Sequence, residues 1–187
     1  MSHNVEFSAS HAALWHVKYS LESFPSDKGW SFDYLPLGAS CILCCAAAFE
    51  AIVNNVFLQK STISHWDELK LKSKTNVLFE LKNKKIDWGA SPFQNISQLI
   101  KVRNWLAHHK EPYLGLAFVG ESNIQWISSS DNMLKAARVD ILRELKRDSI
   151  ENYYSSVREA GVQIARNWGD ELEAEYLKSE KYEPLIM

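Results

Sequence analysis

The chain has 187 residues, 46% of them hydrophobic and 24% charged, which is enough apolar matter for one globular domain and excludes a disordered or collagen-like chain. A formal net charge of −2 with a pI near 6.3 excludes an overall basic field, so any attraction to nucleic acid or to an anionic membrane must be local. With only 7 Gly and 5 Pro, turn-dense β architectures are disfavoured, and an all-α (mainly α) bundle of five to six helices is expected.

In chain order, Leu14, Val17 and Leu21 follow the helical period from a cap at Ser8 or Ser10 to Pro25, which predicts a short first helix. Leu35-Pro36 opens a second helix with proline in its first turn, and Ile42, Leu43, Phe49, Ile52, Val53, Val56 and Phe57 carry it to about Leu58. It is apolar nearly all round, so it belongs at the centre of the bundle. Its most apolar run, residues 37–49, stops at Glu50, short of the about 20 residues a membrane span needs, so no membrane crossing is expected. Residues 61–85 read as a broken helical pair with Ser64 as a cap, a weak point near Ser73 and a lysine-rich outer face.

Ser91-Pro92 is a clear helix start, and Phe93, Ile96, Leu99, Ile100 and Leu106 mark the buried stripe of a fourth helix ending near His109. Two short apolar runs at 116–119 and 124–127 flank Gly120-Glu121-Ser122-Asn123, the pattern of one small β-hairpin insertion. Asp131 caps a helix carrying Leu134, Ala137, Ile141, Leu142 and Leu145. A last helix runs from about Ser149 through Trp168, and residues 169–187 form an acidic tail. No repeat or Gly/Ser/Pro-rich linker divides the chain, so residues 1–187 are read as one domain with its core at about 35–112.

Cys41, Cys44 and Cys45 crowd one apolar helical stretch. Their odd number leaves no disulfide framework, and no second ligand pair accompanies them, so they read as core rather than as a metal site. The polar amino terminus has no secretory pattern, and the cytoplasm is the expected compartment. His11, His16 and His65 lack metal-ligand spacing and read as structural; no metal is expected. No phosphate-binding loop, nucleophile elbow or dinucleotide fingerprint is present, so no cofactor is expected either.

Chemistry concentrates in Arg103-Asn104-Trp105-Leu106-Ala107-His108, followed directly by His109. Arginine offers phosphate a planar fork of donors, and histidine titrates near neutrality, a pairing suited to a phosphodiester. Asn104 and His108 lie four apart on one helical face, where the amide can orient the imidazole. Given 6 Arg, 11 Asn and 6 His, chance supplies about 0.01 copies of that Arg-Asn-x-x-x-His spacing. Arg166-Asn167-Trp168 repeats the opening, but Glu171 stands where histidine would, so the second copy reads as helix surface.

The hexapeptide resembles the RNxxxH motif of HEPN domains, all-α proteins that include metal-independent endoribonucleases of toxin-antitoxin and antiviral defence systems. Residues 93–112, an apolar stripe leading into the motif and a polar exit, are similar to that family's motif helix. Residues 46–55, with Glu50 and Asn54-Asn55 among small residues, are similar to the helix beside it; the likeness covers about 35–112. It implies a HEPN-like bundle in which Arg103, His108 and Asn104 are catalytic. It also implies a homodimer that joins two copies of the motif at one composite site, RNA as substrate, and an antitoxin or other regulatory protein as partner.

Several residues carry two readings. Glu50 is either the buried polar partner of a neighbouring helix or a site residue orienting Arg103, and a buried carboxylate needs a partner in both cases. His109 is either a bystander or a site residue that binds phosphate or substitutes for His108. Residues 60–110 hold ten basic side chains against four acidic ones, a balance of +6. This is either a solvated face or an RNA cradle, with Lys82, Lys84, Lys85 and Lys101 the candidate contacts. A non-catalytic helical module that binds nucleotide, RNA or protein is the alternative for the whole chain.

Overall fold

The computed structural model describes residues 9–25, 34–60, 65–108, 115–119, 123–127 and 141–179. It is mostly helical. α1 (Ala9–Ser23) and α2 (Leu35–Lys60) are followed by a 3-10 turn at Trp66–Glu68, α3 (Leu71–Glu80) and α4 (Phe93–His108). Strands β1 (Gly115–Val119) and β2 (Asn123–Ile127) pair antiparallel, Gly115 opposite Ile127 and Val119 opposite Asn123. α5 (Ile141–Glu144), α6 (Arg147–Asn167) and α7 (Glu171–Ser179) complete the chain. The helix expected from Asp131 lies outside the described residues up to Ile141.

α2 is the hub, touching α1, α3, α4 and α6. Its buried side chains include Cys41, Ile42, Cys45, Phe49, Ile52, Val53 and Phe57. Leu35–Phe57, 23 residues, is long and apolar enough to cross a membrane by length and composition, a longer run than the expectation that ended at Glu50. Half of it is buried against the other helices. α6 lies along α2 with Ile150, Tyr153, Val157, Ala160 and Ile164 inward. The packing around these helices is tight at two glycines. A methyl group on Gly161 would sit 2.8 Å from Leu177 Cδ1 and 3.0 Å from Ile52 Cδ1, and one on Gly38 only 2.7 Å from the Leu145 carbonyl oxygen.

Asn54 interrupts the apolar helix for a reason outside it. Its side-chain oxygen accepts from Trp66 Nε1 at 3.0 Å and from the buried Lys74 Nζ at 3.2 Å, while the Trp66 ring stacks on Phe57 with centroids 3.4 Å apart. Burying Trp66 turns the chain through the 3-10 segment, so the break expected near Ser73 falls instead at Leu69-Lys70, and Ser73 lies inside α3. α3 closes at Asn83, in the left-handed region (φ 54), with the Lys84 N–H bonded to the Phe79 carbonyl at 3.0 Å.

α4 begins where the Ser91-Pro92 pair placed it, and Phe93, Ile96, Leu99 and Val102 are its buried stripe. Ile100 and Leu106, expected inside, are only half-buried. The stretch read as tail holds a further helix, α7, because Ala174 and Leu177 are buried against α6 and the Asp170 carboxylate caps the Glu173 N–H at 3.1 Å.

Candidate functional site

Between α2, the start of α3 and α4 opens a cleft of about 580 Å³. Glu50, Lys70, Lys72, Arg103 and Asn104 line it, with Ala46, Leu69, Leu71 and Ile100 as apolar wall. Helical spacing builds it. Ala46 and Glu50 stand four apart on one face of α2, and Ile100 and Asn104 four apart on α4 with Arg103 beside them. The small Ala46 side chain leaves room between the two helices, and the half-exposed Ile100 becomes wall instead of core.

Three residues singled out in the sequence thus share one cavity. Arg103 is half-buried and donates from Nη1 to Asn104 Oδ1 at 3.1 Å. Glu50 is half-buried in the same cleft with no hydrogen bond or ion pair to any described residue, including Arg103. Among the described residues Glu50 is thus the partner of no other side chain, neither of a neighbouring helix nor of Arg103. The α4 backbone extends to His108; the His108 side chain and all of His109 lie outside the described residues.

Lys70 and Lys72 were not singled out in the sequence. Lys70 is exposed at the mouth of the cleft. Lys72 Nζ donates to Ser97 Oγ and stands 4.8 Å from the centre of the Trp88 ring. Burial first, and the charge of Lys101 second, push the Lys72 ammonium below the ordinary lysine value of 10.5. Lys101 is exposed on α4, near enough for its charge to act on Lys72, while Lys70, Lys72 and Arg103 line the cleft itself.

Lys82 and Lys84 go elsewhere. Lys82 Nζ lies 4.4 Å from the Trp168 ring centre, and Lys84 Nζ donates to Asn167 Oδ1. Both sit past the far end of α3, about 14 Å along the helix from Leu71. Lys85 is exposed beside them. The second Arg-Asn-Trp copy is a helix-end junction: besides these two lysine contacts, Arg166 lies 3.9 Å from Glu171 and 3.6 Å from Glu175.

The other histidines among the described residues each have a side-chain partner. His11 Nε2 meets Glu173 Oε1 at 3.1 Å, His16 Nε2 meets Ser40 Oγ at 3.0 Å, and His65 pairs with Glu68 on the surface. The three cysteines are free thiols. Burial raises Cys41 to about 11, and raises Cys44 and Cys45 as well. Among the described residues no group of three or more His, Cys, Asp and Glu side chains is placed to hold a metal ion. Comparison with protein-family models, with curated proteins and with solved structures returns no match.

Proposed function

We propose that this chain is a HEPN-type endoribonuclease, cutting RNA without a metal ion at a composite homodimer site, as a cytoplasmic defence or toxin-like effector restrained by an antitoxin or other regulatory protein. The observation that carries the reading is the cleft in which Arg103 and Asn104 of the RNxxxH motif meet Lys70, Lys72 and Glu50, a concave and mainly cationic surface suited to a phosphodiester. In the reaction the 2′-oxygen attacks phosphorus and the bond to the 5′-oxygen breaks. One base takes the 2′-hydroxyl proton, one acid protonates the leaving oxygen, and the guanidinium stabilises the charged phosphorane. One His108 does not readily fill both proton-transfer roles. Two copies related by a two-fold axis supply both, with a second Arg103.

The Arg103–Asn104 hydrogen bond, which ties the motif's polar side chains to each other, favours the second reading, a non-catalytic helical module that docks phosphate. The deciding experiment incubates the full chain with single-stranded RNA in excess chelator. The nuclease reading expects fragments ending in 2′,3′-cyclic phosphate, with DNA of the same sequence untouched for lack of the 2′-hydroxyl. Intact RNA leaves the binding module. Cleavage lost in chelator and restored by a divalent ion overturns the metal-free chemistry.

A further inference from the structure

Glu50 poses a problem that phosphate binding alone does not solve, because a bare carboxylate in a phosphate cleft repels the ligand. It is half-buried beside apolar walls and has no partner among the described residues, while three cationic side chains line the same cavity. A ligand matching all of this presents an anion to Lys70, Lys72 and Arg103, a flat apolar body to Ala46, Leu71 and Ile100, and hydrogen-bond donors to Glu50. A nucleotide has those three parts. At about 580 Å³ the cleft falls within the roughly 300–1,000 Å³ of small-ligand sites.

We infer that the cleft is a guanine-nucleotide subsite, in which Glu50 reads the base and the cations hold its phosphate. An ionised carboxylate only accepts hydrogen bonds, and it accepts two parallel ones best. On its pairing edge guanine sets two donors side by side, N1–H and the exocyclic N2–H. Adenine and cytosine each set one amino donor beside a ring acceptor, and uracil sets one N–H between two carbonyl oxygens that the carboxylate repels. Guanine is therefore the base that can supply the missing partner of Glu50 twice over. The inference deepens the ribonuclease reading by naming the nucleotide bound beside the motif, and it rests on that reading only for the consequence that cutting is directed by guanosine.

Titration calorimetry of the full chain with guanosine, adenosine, cytidine and uridine 5′-monophosphates tests the site without requiring catalysis. The expected result is tightest binding of the guanine nucleotide. In E50Q, which loses the doubly accepting carboxylate, the preference falls by about tenfold, on the scale of one bidentate base contact. K70A should weaken all four nucleotides alike. Because Glu50 has no partner among the described residues, E50Q should keep the parent melting temperature. Equal affinity for all four bases, a preference unchanged in E50Q, or no binding at millimolar nucleotide overturns the inference. Mapping of RNA ends separates the two proposals. Cuts without regard to guanosine, alongside absent nucleotide preference, sink the subsite and spare the nuclease; intact RNA with Glu50-dependent guanine binding does the reverse.

Discussion

Side chains acting in the cleft and side chains holding the fold respond differently to substitution. Arg103→Ala and His108→Ala should each lower RNA cleavage by about 10²–10⁴-fold, the usual loss for a missing proton-transfer or charge-stabilising group. Circular dichroism and melting temperature should stay near the parent's, since among the described residues Arg103 bonds to its neighbour Asn104 and to no distant element; full activity in both variants would remove them from the mechanism. The thiols give an independent check on burial. A raised pKa keeps a thiol protonated at pH 8, and the thiolate is the reactive form. Cys41 and Cys45, both buried, should resist a disulfide-exchange reagent in the native state, Cys44 should react slowly, and all three should react at once in denaturant. Rapid native labelling of all three would mean that α2 is not the packed centre. At this scale Arg103, Asn104 and Glu50 were legible in the sequence, because residue type and helical spacing suffice to bring them forward. Lys70 and Lys72 were not, because their use depends on where the 3-10 turn releases the chain beside α4.

At the scale of elements, the contact between α2 and the turn into α6 depends on Gly38. An added methyl group meets a backbone carbonyl at 2.7 Å, which side-chain repacking cannot relieve. Gly38→Ala should cost about 2 kcal/mol and lower the melting temperature by roughly 6 °C; an unchanged melt would mean that the two segments are farther apart. The ends of α3 divide the lysines into two groups. Of the candidate RNA contacts at the far end, Lys82 and Lys84 are exposed but also touch Trp168 and Asn167, respectively. Lys70→Glu should flatten the slope of log RNA affinity against log salt by about 0.7, one single-strand phosphate contact. Joint reversal of Lys82, Lys84 and Lys85 should leave that slope in place and act on stability instead. A flattened slope from the triple variant alone would return the RNA path to the far end of α3.

For the whole molecule, the proposed chemistry requires two motifs at one site. Light scattering at micromolar concentration should give a dimer, and specific cleavage activity should fall on dilution below its dissociation constant. A monomer with full specific activity would leave one chain to perform both proton transfers and would overturn the composite site. Mixing the parent with inactive His108→Ala provides a stricter test. Because the composite site uses both histidines, mixed dimers should be inactive and excess variant should depress the parent's cleavage. Cleavage unaffected by the variant would overturn the shared site.

Local physics determined much of the fold: the periodicity of α1, α2, α4 and α6, the proline starts of α2 and α4, and the largely helical class follow from residue type and spacing. The boundary inside residues 61–85 and the helix at Glu171–Ser179 escaped that reading. Both are set by distant partners, Trp66 on Phe57 and Asn54 in one case and Leu177 against Gly161 in the other. The same division holds for the site. The motif announces itself along the chain, because its residues lie on consecutive turns of one helix. The cleft does not, because its walls come from three elements and its volume depends on how closely α2, α3 and α4 approach, which no single segment encodes.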